Sequence, residues 1–209
     1  MSARANNEVA SPGAVETAVR KVWRRLAMRN LTARDNHRQL DRLYALPDPW
    51  QMTSAREQHR FAMTNQLIES RLGTVESILE IGCGEGHQSQ YLRRVCRDLH
   101  GLDVSPRAID RARARVPDSH FAVGTLDSVP WTPAGGRFDL VVACEVLYYI
   151  SDAGRAVERM SQLGRACVVT FFGPAARFVA PHVDGLAGIE RVWFYADPYP
   201  WLWAVWRPR

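Results

Sequence analysis

The sequence predicts an α/β protein in which a mostly parallel sheet ends in an antiparallel hairpin, and two observations lead to this prediction. After Gly73, short apolar segments alternate with helical ones, which is typical of parallel strands joined by crossover helices. The last two apolar segments instead lie on either side of a proline-containing turn, which predicts a hairpin. The 209 residues fit one domain with an extension, and a 46% hydrophobic composition excludes a mostly disordered chain.

The first 73 residues are predicted to be mostly helical. Residues 1–14 are small and polar, and we expect them to form a disordered tail. Apolar residues at helical spacing predict a basic amphipathic helix over residues 15–29. A second helix is predicted over Ala33–Leu43, and a third of about 18 residues between a Ser54 cap and Gly73. Residues 15–73 would form a helical cap on a main domain of residues 74–209.

Five strands and three helices are predicted between Gly73 and the hairpin. The strands are Ser77–Ile81, Asp98–Leu102, His120–Val123, Phe138–Ala143 and Cys167–Phe172. The helices are Gly86–Val95, Pro106–Arg115 and Asp152–Leu163. The hairpin strands are Ile189–Ala196 and Trp201–Trp206, joined by a turn over Asp197–Pro200. Together these elements predict a sheet of seven strands with helices on both faces.

Charge and cysteine usage narrow the classes of function. The first 73 residues hold 12 Lys and Arg against 7 Asp and Glu, so the whole net charge of +5 lies there. Such an excess attracts anionic partners, although a solvated helix face explains it equally well. The four cysteines form no C-x-x-C pair, and no carboxylate–histidine cluster suggests a metal. We expect a cytoplasmic protein with reduced thiols, no metal and no membrane-spanning helix.

The sharpest local signal is an apolar strand that leads directly into three alternating glycines. Gly82, Gly84 and Gly86 follow the strand that ends at Ile81 and precede a predicted helix. In α/β sheets, ligands bind at the carboxyl ends of the strands, where glycines let the backbone approach a nucleotide. The spacing differs from the G-x-G-x-x-G pattern built around a pyrophosphate, and no Lys-Ser/Thr pair follows for a triphosphate. The loop therefore predicts a site for a nucleoside without phosphates.

A carboxylate follows the next predicted strand. Asp103 stands 17 residues after Gly86, where a carboxylate can accept hydrogen bonds from both hydroxyls of a ribose. The alternative is that the glycines only make a tight turn and that Asp103 caps the following helix. The two elements together favour the nucleoside site.

These residues carry a resemblance to a known family. Glu80 and the three glycines in the order E-x-G-x-G-x-G, with Asp103, resemble the signature of class I S-adenosylmethionine-dependent methyltransferases. The resemblance implies a Rossmann-like fold, S-adenosyl-L-methionine as cofactor and S-adenosyl-L-homocysteine as product. It also implies that Glu80, Asp103 and the glycine loop contact the cofactor, together with the adjacent Cys83 and Val104.

The loop after the third predicted strand departs from the family pattern. The family usually has an acidic residue directly after the glycine, where it binds the adenine amine. Here Thr125 follows Gly124, and Asp127 lies two residues further on. The resemblance implies either a neutral contact from Thr125 or a substitute contact from Asp127, with a backbone N–H from Leu126.

The segment Phe138–Tyr149 resembles the family's fourth strand and the loop that presents the methyl group. It implies that Glu145 contacts the cofactor and that Glu145 or Tyr148 orients the acceptor amine. Tyr149 and His182 are further candidates for substrate contacts, His182 as a base in the loop before the hairpin. The alternatives are that Glu145 caps the next helix and that both tyrosines only pack.

A narrower resemblance concerns the acceptor. Asp48–Trp50 before Glu57–Phe61, then Leu79–Cys83 and Glu145–Tyr149, is similar to the nodulation-protein-S group of N-methyltransferases, which act on an amino-sugar oligomer. The similarity covers about residues 33–209. It implies that Arg60 pairs with the carboxylate of the methionine moiety and that Trp50 covers the cofactor.

The predicted function is methyl transfer to an amine of a small molecule or amino sugar. An in-line displacement at a sulfonium needs orientation more than a strong base when the acceptor is a neutral amine. One alternative is O-methylation of a small hydroxylated metabolite. A second is binding or methylation of RNA through the basic first third, and a third is a non-catalytic protein that keeps the fold. We expect neither nucleic acid nor membrane as partner.

Overall fold

A seven-stranded sheet runs through this computed structural model, which describes residue 32, residues 34–196 and residues 198–209. Within those residues the strands are β1 (Val75–Ile81), β2 (Cys96–Asp103), β3 (His120–Val123), β4 (Phe138–Cys144), β5 (Gly164–Phe172), β6 (Glu190–Ala196) and β7 (Tyr199–Trp206). Their order in the sheet is β3-β2-β1-β4-β5-β7-β6. The first five strands pair in parallel, whereas β7 runs antiparallel to both β5 and β6. The predicted fold class is confirmed.

Helices cover both faces of this sheet. They are α1 (His37–Leu43), α2 (Ala55–Leu72), α3 (Ser89–Leu92), α4 (Pro106–Arg115), α5 (Ala153–Leu163) and α6 (Ala176–Val183). Successive residues of a strand point to opposite faces, so Leu79 packs with the α5 and α6 side of the core while Ile78 packs with the α2 side. Because both faces are buried, the central strands read as unbroken apolar runs.

The helix α2 has the ends that the sequence predicts. The Ser54 hydroxyl accepts a hydrogen bond from the Glu57 N–H at 3.5 Å, and the helix ends at Gly73 with φ of 71°. Glycine adopts this left-handed conformation without the steric cost of a side chain. The carboxylate of Glu57, in the first turn of this helix, forms ion pairs with Arg60 and Arg56.

Two predicted helices are shorter in the structure. The helix predicted from Ala33 begins at His37, since Asn36 provides the cap by accepting a hydrogen bond from the Gln39 N–H at 3.2 Å. The helix predicted over Gly86–Val95 is reduced to α3, because Gly86 with φ of 79° still belongs to the preceding turn. The predicted tail of residues 1–14, the basic helix of residues 15–29 and Ala33 lie outside the described residues.

Several strands extend beyond their apolar runs. The strand β2 begins two residues earlier than predicted and β5 three residues earlier, because backbone pairing continues through exposed polar positions such as Arg97 and Arg165. In the hairpin, Ala196 pairs with Tyr199, so Tyr199 and Pro200 belong to β7 and not to the turn. Asp197 of that turn lies outside the described residues.

No helix among the described residues is long and apolar enough to cross a membrane. Cys83, Cys96, Cys144 and Cys167 are free cysteines.

Candidate active site

Three glycines shape the loop that follows β1. Gly82, Gly84 and Gly86 have φ angles of 68°, 53° and 79°, which residues with a side chain rarely adopt. A Cβ atom on Gly82 would lie 2.3 Å from Cγ2 of Val146, and one on Gly84 would lie 2.9 Å from the hydroxyl oxygen of Tyr44. The loop therefore needs glycine for its backbone conformation and for the close approach of its neighbours.

Asp103 ends β2 and joins it to this loop. Its Oδ2 accepts a hydrogen bond from the Gly84 N–H at 3.0 Å, and its Oδ1 accepts one from the Ser105 N–H at 2.9 Å. Burial raises the pKa of Asp103 to about 6, although the backbone N–H groups favour the charged form. The carboxylate thus lies at the loop, where the sequence predicts it, and two backbone donors hold it there.

A cleft of about 370 Å³ opens at the carboxyl ends of the parallel strands. This is where ligands bind in open α/β sheets. Seven of the predicted cofactor and substrate residues line it, namely Gly82, Asp103, Val104, Thr125, Leu126, Asp127 and Tyr149.

Residues before α2 form another part of the cleft wall, and three of them are not among the site residues predicted from the sequence. Asp35, His37 and Tyr44 line the cleft. Asp35 accepts hydrogen bonds from the Ser151 N–H at 3.0 Å and from the Ser151 hydroxyl. Further along, the Asp48 N–H donates to both carboxylate oxygens of Glu85. No local pattern marks these residues, because their contacts exist only when the segment has folded over the glycine loop.

Thr125 and Asp127, the two candidates for adenine recognition, both lie on the cleft. Thr125 caps a short 3₁₀ helix over Leu126–Ser128, and its N–H donates to the Ser128 hydroxyl at 2.9 Å. Asp127 is exposed and forms an ion pair with Arg155, whose Nη2 lies 3.2 Å from Oδ1. Arg155 and Arg159 of α5 also line the cleft, and the sequence analysis did not single them out.

Glu145 follows β4 and is bound to β5. Its carboxylate accepts hydrogen bonds from the Thr170 hydroxyl at 3.1 Å, the Phe172 N–H at 2.9 Å and the Tyr148 hydroxyl at 3.2 Å. Its φ is 61°, an uncommon value for a residue with a side chain. Burial raises the pKa of Glu145, while the nearby Arg60 guanidinium opposes that rise. The carboxylate does not cap the 3₁₀ helix over Leu147–Tyr149 that follows, which has no side-chain cap.

Aromatic rings surround this part of the site. The rings of Tyr148 and Tyr149 lie 4.5 Å apart and edge to face, and Trp50 lies 5.7 Å from Tyr149. The Trp50 indole N–H donates to the Tyr44 hydroxyl at 3.3 Å. Trp50 is therefore linked to the cleft through Tyr149 and Tyr44, both of which line it.

Arg60 is almost completely buried, with 2% of its surface exposed. Its Nε donates to Glu57 at 2.7 Å and its Nη1 donates to Gln88 at 3.2 Å. Burial lowers the pKa of Arg60, but the carboxylates of Glu145 and Glu57 outweigh that effect and raise it. Arg60 thus lies among acidic groups next to the glycine loop and does not line the cleft itself.

Gly84, Trp50, Glu145 and Tyr148 do not line the cleft either, and three further predicted residues lie away from it. The buried Glu80 accepts a hydrogen bond from the Ser89 hydroxyl at 2.5 Å, and burial raises its pKa to about 8. Cys83 packs with Ile109 and Phe121 in a separate small cluster. A Cβ atom on Gly86 would lie 3.1 Å from Cα of Ala112, so this glycine allows close packing of α4.

The position predicted for His182 is wrong. It lies in the last turn of α6 and not in a loop, because the helix continues through Pro181 to Val183. His182 lines a second cavity of about 250 Å³, which it shares with Tyr148, Asp152 and Arg177. The structure therefore brings His182 close to Tyr148 but away from the cleft that Asp103 lines.

Comparison with known proteins identifies close relatives. Residues 32–197 match the family model of nodulation protein S. The chain is 34% identical to nodulation protein S of Bradyrhizobium diazoefficiens over 78% of its own length and 79% of that protein. It is 37% identical to the protein of the same name from Sinorhizobium fredii over 59% of its own length and 57% of that protein.

A solved structure is also similar. The N-methyltransferase NodS from Bradyrhizobium japonicum WM9, in complex with S-adenosyl-L-homocysteine, superposes with a TM-score of 0.68 at 27% identity. The match covers 82% of this chain and 97% of that protein.

Proposed function

Because the chain belongs to the nodulation protein S family of S-adenosylmethionine-dependent methyltransferases, we propose that it transfers a methyl group to an amine of a small molecule or amino sugar. The cofactor is S-adenosyl-L-methionine and the product is S-adenosyl-L-homocysteine, the molecule bound to the similar Bradyrhizobium enzyme.

One observation carries the proposal. The glycine loop after β1 and the carboxylate of Asp103 after β2 lie next to each other on one cleft of about 370 Å³. A cleft of this volume has the size of a small-molecule site. The close contacts around Gly82 and Gly84 show that the backbone is packed without room for side chains. This is the arrangement that lets a loop approach a nucleoside closely.

We assign the binding roles by position. Asp103 would accept the ribose hydroxyls, with Glu80, Cys83, Val104 and Gly86 supporting the loop around it. Thr125 or Asp127 would contact the adenine amine, together with the backbone N–H of Leu126. Arg60 contacts Gln88, two residues after Gly86, and would attract the methionine carboxylate. Trp50, whose ring contacts that of Tyr149, would cover the cofactor.

The chemistry needs alignment more than proton transfer. When bound, S-adenosylmethionine supplies an electrophilic methyl group on a sulfonium, which an amine lone pair displaces in line. Glu145 is suited to orient an amine, since a partly buried carboxylate beside two tyrosine rings attracts a cation or an N–H donor. Its three existing hydrogen bonds leave it poorly placed to act as a strong base, which a hydroxyl acceptor would require.

The remaining assignments are also part of this proposal. Tyr149 and His182 would contact the acceptor, one from the main cleft and one from the cavity behind Tyr148. Residues 15–73 would form a cap on the main domain of residues 74–209. We place the enzyme in the cytoplasm, since its four cysteines are free thiols.

Cofactor binding is tested by calorimetric titration with S-adenosylmethionine and S-adenosylhomocysteine. We expect micromolar binding of both, weakened at least tenfold by Asp103→Asn because the ribose loses a charged acceptor. Asp118→Asn is the matched control, since Asp118 is an exposed carboxylate that does not line the cleft. Equal affinity in the two variants would remove Asp103 from the site.

The acceptor is tested by turnover with the cofactor and two sets of compounds. We expect mass increases of one or more methyl groups on amino sugars and simple amines, and none on their hydroxyl analogues. Glu145→Gln should lower turnover of the amine and leave cofactor affinity within twofold. Methylation of the hydroxyl set, lost in His182→Ala, would instead favour the O-methyltransferase function.

A further inference from the structure

Three potential metal ligands lie together at the edge of the sheet. Asp98 and His100 are two residues apart on β2, so their side chains share one face. His120 begins β3 and is the direct register partner of His100. The two imidazole rings are stacked with centroids 4.8 Å apart, and the carboxylate of Asp98 lies beside both. The sequence alone predicts no metal, because this cluster forms only across two strands.

The distances between the donor atoms fit one metal ion. His120 Nε2 lies 3.3 Å from Asp98 Oδ1, and His100 Nε2 lies 3.7 Å from Asp98 Oδ2. Donor atoms from all three residues lie within 4.8 Å of one another. In a tetrahedral zinc site, bonds of about 2.0–2.2 Å place neighbouring donors about 3.3–3.6 Å apart. We propose that Asp98, His100 and His120 bind a divalent transition metal ion, with solvent completing its coordination.

His100 is the buried member of this cluster. It is 7% exposed, and its Nδ1 is buried without a hydrogen-bond partner. Its Nε2 faces Asp98 at 3.7 Å, which is too long for a hydrogen bond. Within the described chain the imidazole therefore makes no hydrogen bond, which is costly for a buried polar group. A metal ion between Nε2 and Asp98 would give a partner to Nε2, the nitrogen that faces the carboxylate.

The ring of His100 is already held in place. The ring centroids of Trp131 and Phe138 lie 4.9 Å and 5.3 Å from that of His100. Neither residue belongs to β3, the strand of His120. Asp98 and His120 are half exposed or more, so solvent reaches the open side of the cluster. A rigid, buried ligand with two accessible ones on a strand scaffold is a suitable geometry for an ion that keeps one water.

No lysine or arginine forms an ion pair with Asp98 in the described part of the chain. The ion pairs of Asp98 are those with His100 and His120. A second group of possible ligands, Asp48, Glu85 and His87, differs in this respect. Glu85 is paired with Arg111, and backbone N–H groups already bind Glu85 and Asp48. We therefore place the metal only at Asp98.

The position of the site indicates a structural role. Asp98 and the cofactor-loop residue Asp103 are five residues apart on one strand, or about 16 Å. The strand β3 has four residues and lies at the edge of the sheet. A metal bridge from β2 to His120 would fix the start of this short strand, which leads into Thr125 and the adenine loop.

The experiment uses the untagged chain, freed of metal with a chelator and titrated with Zn²⁺. We expect one ion per chain, with affinity lowered at least tenfold in His120→Ala and in Asp98→Asn. Both residues are exposed, so these variants should fold. His59→Ala is the matched control, since it removes an exposed histidine of α2 outside the cluster. The Zn²⁺ affinity of His59→Ala should stay within twofold of that of the unmodified chain.

Two further readouts do not depend on activity. Co²⁺ should give the intense visible absorption of a site with low coordination number in the unmodified chain and in His59→Ala, and not in His120→Ala. Zn²⁺ should raise the thermal unfolding midpoint of the same two proteins only. Equal Zn²⁺ affinity in His120→Ala and His59→Ala, or no stoichiometric binding by the unmodified chain, would overturn the proposal.

Discussion

Replacement of Gly82 by alanine isolates the steric requirement of the cofactor loop. The new Cβ would lie 2.3 Å from Cγ2 and 3.0 Å from Cγ1 of Val146, so the loop or Val146 must move. Alanine must also adopt φ of 68°. Both effects destabilise the folded chain, and a suitable control separates them.

Gly136→Ala is that control. Gly136 has φ of 78°, close to that of Gly82, but a Cβ atom on it would meet nothing within 4 Å. Alanine in the left-handed region costs about 1–2 kcal/mol at either position. The loss of glycine entropy in the unfolded chain offsets this by about 0.4–1 kcal/mol, again equally at both. The two variants therefore differ in the contact with Val146 alone.

Overpacking of this kind costs about 1–3 kcal/mol. We expect Gly136→Ala to lower the free energy of unfolding by about 1 kcal/mol and Gly82→Ala by about 2–4 kcal/mol. Urea unfolding followed by tryptophan fluorescence measures both. Val146→Ala in the Gly82→Ala chain removes the overlapping methyl groups, so the double variant should be about 1–3 kcal/mol more stable than additivity predicts.

Two results would refute this reasoning. Equal destabilisation by Gly82→Ala and Gly136→Ala would show that Val146 imposes no steric limit. Strict additivity of Gly82→Ala and Val146→Ala would show that the two residues are not coupled. Since Gly82 lines the cleft, Gly82→Ala should also weaken S-adenosylhomocysteine binding in calorimetry, whereas Gly136→Ala should not.

Three further predictions concern buried charge, pH and the cleft wall. Arg60→Met leaves buried carboxylates without their cation and should cost about 3–5 kcal/mol in urea unfolding, whereas Arg71→Ala, which breaks an exposed pair, should cost at most about 1 kcal/mol. Burial raises the pKa of Glu80 from 4.5 to about 8, so the folded chain keeps a proton that the unfolded chain releases, and stability falls as pH rises between these values. Glu80→Gln should remove that part of the slope, on the order of 1 kcal/mol per pH unit, and an unchanged slope from pH 5.5 to 7.5 would contradict it. Asp35→Ala removes both hydrogen bonds to Ser151 and should speed amide exchange at Ser151, and unchanged exchange would show that these bonds do not hold the segment.

Predictions from the sequence succeeded where the signal is local. The seven strands follow from their apolar runs, and the ends of α2 follow from Ser54 and Gly73, whose effects act within one helical turn. Errors occur where the local sequence does not by itself determine where a helix begins or ends. The helix predicted over Gly86–Val95 is reduced to Ser89–Leu92, and His182 belongs to a helix that continues through a proline.

The candidate site shows the same division. Gly82 and Asp103 could be identified from spacing, because each follows directly after a strand and parallel strands end at one edge of the sheet. Arg60 and Trp50 could be named only by resemblance. Their partners, Glu57 and Gln88 for one and Tyr44 for the other, are visible only in the structure.

By itself the sequence determines the order of strands and helices along the chain, the glycine loop and the carboxylate after β2. Each of these depends on residues that are close together along the chain. The tertiary structure alone decides that Asp35 binds Ser151 at the cleft and that Glu145 is bound to β5. It also decides that His120 meets Asp98 across two strands. These contacts join residues far apart along the chain, and they form only when strand order and register bring the residues together.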